Sequence, residues 1–141
     1  MKEQLTAALA AEEAAIYAYG LIGVHLTKER EVKGARDSEQ VHRQRRDYLV
    51  DRIAELKASA APAPAGYALP FEVTDRASAL KLAVHIEDGV AQAWRAVLPV
   101  TEQSQRNAAL SAMTDSAVRA TAWRKYSGTA PLTMAFPGRP G

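Results

Sequence analysis

The residues of this chain best suited to chemistry are Glu39 and His42, which lie three positions apart in the stretch SEQVHRQRRDYLV. Helical residues at this spacing share one face, so the carboxylate and the imidazole can reach the same metal ion. Glu12 and Glu87 interrupt two other helical patterns whose neighbouring positions are apolar. A carboxylate at a core position needs a cation, a hydrogen-bond network or a metal, because an unpaired buried charge is costly. These four residues therefore predict a polar centre inside a helical protein.

The composition and the spacing of apolar residues predict four helices. Alanine makes up roughly a fifth of the chain, and β-branched and aromatic residues are sparse, which favours helix. Apolar residues recur at alternating steps of three and four, the pattern of helices that pack in a bundle. Thr27 and the pair Thr74-Asp75 are predicted N-caps, and Gly128 is a predicted C-terminal stop. The expected helices cover residues of about 2–25, 28–58, 75–99 and 102–126.

The connection between the second and third helices is unusually long. Residues 59–73, SAAPAPAGYALPFEV, hold three prolines and one glycine and predict an extended segment. Connections in helical bundles usually take about 2 to 8 residues. A segment of this length can travel along a whole helix, so the third helix is predicted to run parallel to the second. Gly34 leaves one alternative open, an irregular turn in place of the start of the second helix.

The polar residues fall at matching heights along the predicted helices. If the first two helices pack antiparallel about a turn near residue 27, Glu12 lies level with His42. A second turn near residue 101 likewise places Glu87 level with Asp115. One Glu from each of two helices and Glu-x-x-His from each of two others form the ligand set of carboxylate-bridged di-iron bundles.

On these residues, and on the stretches ALAAEEAAIYAYG, HRQRRDYL and AFPGR, the chain resembles the ferritin-like superfamily. Within it, the chain looks like a small uncharacterised ferritin-like domain family of high-GC bacteria. The resemblance implies an all-α, ferritin-like four-helix bundle over residues 1–127, with one long crossover between helices 2 and 3. A Pro/Gly-rich C-terminal tail, residues 128–141, is expected to pack on the bundle through Leu132, Met134 and Phe136. The metal candidates that the resemblance implies are Glu12, Glu39, His42, Glu87 and Asp115.

The fourth helix departs from the family pattern. Where the resemblance implies Glu-x-x-His, this chain has Asp115-Ser-Ala-Val118, and valine cannot bind a metal. A dinuclear centre needs about six protein ligands, which is more than this chain offers. Arg46, one turn beyond His42, and Arg119, one turn beyond Asp115, can instead supply positive charge by bridging carboxylates. The sequence therefore favours a metal-free polar core without a cofactor, with iron or manganese as the alternative.

The expected function follows from this degenerate site. The chain is predicted to be a non-catalytic helical module that binds or assembles with a small-molecule or protein partner, and a homodimer through an alanine-rich helix face is one option. The alternative is a di-iron or mononuclear metal oxidoreductase, or an iron-handling protein, that uses the carboxylates and His42 to bind metal and activate oxygen.

Composition narrows the remaining classes. The balance of 18 Lys and Arg against 16 Asp and Glu does not predict a nucleic-acid binder. The absence of cysteine excludes disulfide scaffolds, iron–sulfur clusters and thiolate metal sites, and it is compatible with the cytoplasm, which is the predicted location. Glu12 and Glu13 interrupt the apolar N-terminal segment, so neither a signal peptide nor a membrane span is expected.

Overall fold

Four α-helices account for most of residues 1–140, the part of the chain that the computed structural model describes, and no strand occurs there. Their bounds are α1 (Lys2–Gly23), α2 (Glu29–Glu55), α3 (Arg76–Val97) and α4 (Gln103–Ser127). A short 3-10 turn, Leu98–Val100, follows α3 and leads into α4. The prediction of an all-α fold with four helices is therefore confirmed.

The helix ends follow local signals in the sequence, with one exception. Asp75 caps α3 reciprocally with Ser78, since the backbone N–H of Ser78 donates to Asp75 Oδ1 at 2.8 Å and Ser78 Oγ accepts from the Asp75 N–H at 3.1 Å. Gly128 ends α4 in the left-handed conformation, with φ of 71°. The predicted cap at Thr27 is wrong: Lys28 precedes α2 and makes no side-chain cap bond. The two acidic residues in the first turn of α2 complement the helix dipole instead.

Helix α2 runs without a break through Gly34, so the alternative of an irregular turn at its start is wrong. A Cβ atom at position 34 would lie 3.3 Å from Cη2 of Trp123 on α4. The glycine therefore lets a large ring of α4 pack directly against the α2 backbone. That contact offsets the cost of about 1 kcal/mol that glycine carries inside a helix.

Pairs of contacting residues define the directions of the helices. Glu31 pairs with Arg76 and His42 pairs with Glu87, and both pairs are separated by 45 positions in the sequence. Helices α2 and α3 are therefore parallel, as the long crossover between them predicts. Helices α1 and α3 are antiparallel, since Glu12 contacts Trp94 whereas Tyr19, further along α1, contacts the earlier residue Glu87.

The core consists of two apolar clusters with a polar layer between them. One cluster contains Leu9, Leu49, Ile53 and Val97, near the end of the bundle where α1 begins. The other contains Ile22, Leu80 and Trp123, at the opposite end. Five polar side chains with at most 1 % exposure lie between the clusters: Glu12, Ser38, His42, Glu87 and Ser116.

Helix α1 has the length and composition of a membrane span, contrary to the expectation that no segment would qualify. Its best window has a mean hydropathy of 1.2, and 44 % of that window is buried inside the bundle. Core helices of soluble proteins meet the same criterion, and the buried residues of α1 pack against α2 and α3.

The C-terminal segment 129–140 contacts the bundle through Gly138, which is buried. This glycine has φ of 76°, and a Cβ atom there would lie 2.7 Å from the carbonyl oxygen of Ala91 on α3. Leu132, Met134 and Phe136 were expected to pack on the bundle, but they remain 41, 40 and 60 % exposed. The close backbone approach that glycine permits lets the segment lie directly against α3 at this point.

Candidate functional site

The imidazole of His42 lies at the centre of the bundle between two carboxylates. Its Nε2 is 2.6 Å from Glu87 Oε1, and its Nδ1 forms a short contact with Glu12 Oε2. All three side chains have no exposed surface. One residue comes from each of α1, α2 and α3, so the two hydrogen bonds join three helices at a single height.

The two carboxylates keep His42 protonated. Burial by itself lowers the pKa of the imidazole, but the hydrogen bonds and the charges of Glu12 and Glu87 outweigh it and raise the pKa from 6.5 to about 9. At neutral pH the ring is therefore an imidazolium, and both of its N–H groups donate.

Aromatic side chains extend the network on both sides of His42. The indole Nε1 of Trp94 donates to Glu12 Oε1 at 2.6 Å, and the hydroxyl of Tyr19 donates to Glu87 Oε1 at 2.9 Å. The indole of Trp123 in turn donates to the Tyr19 oxygen at 2.9 Å. Burial, together with the charge of Glu87, raises the pKa of Tyr19 well above its usual value, so this phenol stays a donor. A continuous chain of hydrogen bonds thus crosses the core from one tryptophan to the other.

A second polar layer joins α2 to α4. Arg45 donates to Ser116 Oγ at 3.1 Å and forms a short ion pair with Asp115. Arg119 donates to the same Asp115 oxygen at 2.7 Å and to Ser38 Oγ at 2.9 Å. Burial raises the pKa of the Asp115 carboxyl, but the two guanidinium groups lower it by more, so the pKa lies below its usual value. Asp115 is therefore held as a carboxylate by two arginines.

The two layers are electrostatically connected. Arg45 Nη1 lies 4.0 Å from Glu12 Oε1. Burial lowers the pKa of Arg119, but the bond to Asp115 and the charges of Asp115 and Glu87 raise it overall. The network holds equal numbers of anions and cations: Glu12, Glu87 and Asp115 against protonated His42, Arg45 and Arg119. Such a balance is what burial of charge requires.

Of the five predicted metal candidates, three meet at the centre of the bundle, Asp115 lies in the arginine layer and Glu39 lies outside the network. Glu12, His42 and Glu87 come together at the heights that the sequence predicted. Glu39 lies away from them, because its side chain is 31 % exposed and accepts a hydrogen bond from Arg43 at 2.8 Å. The inner face of α2 reaches back from His42 by four positions to Ser38, not by three to Glu39. The expectation that Glu39 and His42 act on one ion therefore does not match this geometry.

The predicted arginines also need correction. Arg119 lies in the network, but Arg46 pairs with its exposed neighbour Asp47 at 3.0 Å. The arginine that enters the network is Arg45, three positions after His42 rather than four. An arginine at either position satisfies the same sequence pattern, and only the packing of α2 against α4 distinguishes them.

On α4 the inward position is Ser116, not Asp115. Ser116 has no exposed surface, whereas Val118, the predicted counterpart of a ligand histidine, is 62 % exposed. Ser116 carries no charge but is fully buried, and Arg119 follows it at the spacing of three that Glu-x-x-His has in di-iron carboxylate bundles. The inner face of α4 is made mostly of small residues: Ala109, Ala112, Ser116, Ala120 and Trp123.

The donor set does not fit a two-metal centre in this arrangement. Within residues 1–140, no group of three or more Asp, Glu, His or Cys side chains is arranged to hold a metal ion. Both ring nitrogens of His42 are hydrogen-bonded to carboxylates, so an ion could bind the imidazole only by displacing one of them. Among the buried carboxylate oxygens and ring nitrogens of Glu12, His42 and Glu87, one atom, Glu87 Oε2, has no hydrogen-bond partner.

The fold and the site define the class of protein: an all-α four-helix bundle with a buried, charge-balanced network at its centre. Residues 4–141 match the family described as a domain of unknown function (DUF4439), and the chain belongs to this family. It is also similar to a solved structure, a conserved hypothetical protein, rv2844, from Mycobacterium tuberculosis. The two share 38 % sequence identity with a TM-score of 0.82, over 88 % of this chain and 94 % of that one. No curated protein matches the chain.

The family and the relative agree with part of the resemblance. An uncharacterised domain family and a mycobacterial relative fit the expected link to an unassigned family of high-GC bacteria. Neither description names a ligand, a metal or a reaction.

Proposed function

We propose that this protein is a ferritin-like bundle in which a charged hydrogen-bond network takes the place of an inherited metal centre, and that it acts as a non-catalytic binding or assembly module. One observation carries the proposal: both ring nitrogens of His42 are hydrogen-bonded to the carboxylates of Glu12 and Glu87. In a metal centre one of those nitrogens would bind the ion, and the carboxylates would bind it as well.

The positive charge that a metal would supply comes instead from side chains. The imidazolium of His42 neutralises one of the two central carboxylates. Arg45 lies within 4.0 Å of Glu12, and Arg119 bridges Asp115 and Ser38 on the α4 side. A guanidinium suits this role because it stays protonated and offers a fixed fork of donors to oxygen atoms.

A non-catalytic role is supported by burial. Glu12, His42 and Glu87 have no exposed surface, so a substrate has no direct access to them. The binding or assembly role is supported by the exposed apolar side chains of α4 and the tail, and a homodimer remains one form of it. We place this role in the cytoplasm, with which the cysteine-free sequence is compatible.

A metal-dependent oxidoreductase or iron-handling protein is the second candidate. It is favoured by Glu87 Oε2, a buried oxygen without a hydrogen-bond partner that is free to bind iron or manganese. A buried water molecule would satisfy the same atom, as ordered waters commonly do in protein interiors.

Metal analysis of the whole chain distinguishes the two candidates. The protein is expressed in medium with added iron or manganese and then dialysed. We expect mass spectrometry to find much less than one ion per chain. Retention of one or two ions per chain, or an iron absorption band after ferrous iron is added in air, would overturn the metal-free proposal.

A designed variant makes this test sharper. Ser116→Glu combined with Arg119→His restores Glu-x-x-His at the two α4 positions that face the network. We expect the double variant to gain metal binding that the natural chain lacks, because it replaces a cation with two ligands. Val118→His is the matched control, since it adds the histidine that the sequence pattern suggests but at an exposed position. Metal uptake by that control equal to uptake by the double variant would contradict the assigned register.

A further inference from the structure

A cavity of about 250 Å³ lies on the outer side of α3 and α4, facing away from the His42 network. Helix α4 contributes Met113, Ala117 and Val118, and the C-terminal segment contributes Met134 and Pro137. Its position on the outer side follows from adjacent residues. Ser116 points into the core, whereas the next two residues of α4 line the cavity.

The C-terminal segment turns what would be an open groove into a cavity. Gly138 lies against the Ala91 carbonyl, and this contact holds the segment beside α4. The segment forms one wall of the cavity, and this wall depends on the close approach of Gly138 to the α3 backbone, which a larger residue would prevent. The cavity is therefore a product of the fold and not a gap between two loose elements.

Two exposed apolar side chains, Val118 and Met134, line the cavity itself. Five of the large apolar side chains exposed within residues 1–140 lie on α4 or the C-terminal segment: Leu110, Val118, Leu132, Met134 and Phe136. Exposed apolar groups that gather on one face commonly mark a binding site. An apolar molecule that binds here would leave bulk water and would cover apolar side chains that are now exposed to it.

One end of the cavity is charged. Asp88 of α3 and Arg124 of α4 form an ion pair there, and the side chain of Arg124 is only 12 % exposed. The contact uses one Nη2 group of the guanidinium. The other N–H groups of Arg124 make no hydrogen bond within residues 1–140, so the fork retains donors for a second oxygen ligand.

We propose that this cavity binds a small monocarboxylate with an apolar body, whose carboxylate contacts Arg124 and whose body lies against Met113 and Met134. The size agrees, because an apolar cavity of about 150 Å³ already accommodates benzene. The donors agree, because an arginine offers five N–H donors and the contact with Asp88 uses only its Nη2 group. This inference goes beyond the proposed function and holds whether or not the core binds a metal, since the two sites lie on opposite sides of α3 and α4.

Methionine methyl resonances provide the test. The chain has three methionines: Met113 and Met134 line the cavity, and Met1 precedes α1 and lies outside it. With methyl-labelled methionine, we expect sodium octanoate to shift the Met113 and Met134 signals in a saturable way while the Met1 signal stays in place. Octylamine hydrochloride has the same alkyl chain and the opposite charge, and sodium acetate has the same charge without the chain. We expect neither to saturate below about 10 mM, the range of weak affinities.

Two variants of opposite charge test the contact with Arg124. Arg124→Gln removes the charged donor and should weaken octanoate binding about tenfold or more. Asp88→Asn removes the competing carboxylate and should strengthen it several-fold. Ala117→Phe fills the cavity and should abolish binding. If Ala117→Phe fails to fold, the comparison of octanoate with octylamine in the natural chain still decides the question.

Several results would overturn the proposal. These are the absence of any saturable shift with octanoate, equal shifts with octylamine, and equal affinities of the Arg124→Gln and Asp88→Asn variants. Equal affinities would mean that the alkyl chain adsorbs to the exposed apolar surface without using the ion pair.

Discussion

Protonation of His42 should make the stability of this protein fall as the pH rises from neutral to alkaline. The pKa of His42 is about 9 in the folded chain, against an ordinary 6.5 when the chain is unfolded. A raised pKa means that the folded state holds the proton more tightly, so the stabilisation is complete below pH 6.5 and is lost through pH 9. At about 1.36 kcal/mol per pH unit, the difference between the two pKa values corresponds to about 3 kcal/mol.

Urea unfolding followed by circular dichroism between about pH 6 and pH 10 measures this loss. For a domain of this size, about 3 kcal/mol corresponds to a fall of roughly 10 °C in melting temperature. Lysines and tyrosines also titrate in this range, so the decisive comparison is with His42→Gln. We expect that variant to be about 3 to 5 kcal/mol less stable at neutral pH, because it leaves two carboxylates without their cation. It should also lose most of the slope between pH 7 and pH 9.

His85→Gln is the matched control, because His85 is exposed and its substitution should change neither the stability nor the slope. Nitrogen-15 spectra of the imidazole rings give a direct readout that does not depend on a variant that folds. At pH 7.5 we expect both ring nitrogens of His42 to carry protons. Titration of His42 near 6.5, or parallel loss of stability in the natural chain and His42→Gln, would refute the argument.

Two further predictions concern Tyr19 and Gly138. Tyr19→Phe removes a buried donor from Glu87 and an acceptor from Trp123, so it should lower the free energy of unfolding in urea by about 2 kcal/mol. The control Tyr17→Phe should lower it by about 0.5 kcal/mol or less. Equal losses in the two variants would contradict the network. Gly138→Ala should release the C-terminal segment to limited proteolysis, because its Cβ would lie 2.7 Å from the Ala91 oxygen. Gly128→Ala has a similar φ and free space around it, so it should cost only about 1 kcal/mol and leave the segment protected.

Much of the fold could be predicted because its signals are local. The cap at Asp75, the stop at Gly128 and the proline-rich crossover each depend on a few adjacent residues. The meeting of Glu12 with His42 could also be predicted, because helices joined by a short turn fix the heights of their residues. These features need no knowledge of how the four helices rotate about their axes.

The errors concern rotation about the helix axis. Successive residues differ by about 100°, so Ser38 and Glu39, or Arg45 and Arg46, are alternatives that only the position of the neighbouring helix decides. The sequence of α4 gives a weak signal, since small residues make up most of its inner face. Asp115 and Ser116 are adjacent and both polar, so the pattern alone does not indicate which of them faces inward. The packing of α4 against α2 therefore had to be observed before the network could be assigned.

The network gives the bundle a register as well as a charge balance. Buried ion pairs add little net stability compared with apolar residues of the same volume, so their retention calls for another explanation. Its bonds connect all four helices: Glu12 to His42 joins α1 to α2, His42 to Glu87 joins α2 to α3, and Arg119 to Ser38 joins α4 to α2. Sliding any helix by one turn would break several of these bonds at once and leave charges unpaired in the core. A bound metal would impose the same constraint, because its ligands also come from every helix. Under the proposed function, the chain has therefore kept the structural role of a metal centre while giving up the open coordination position that catalysis requires.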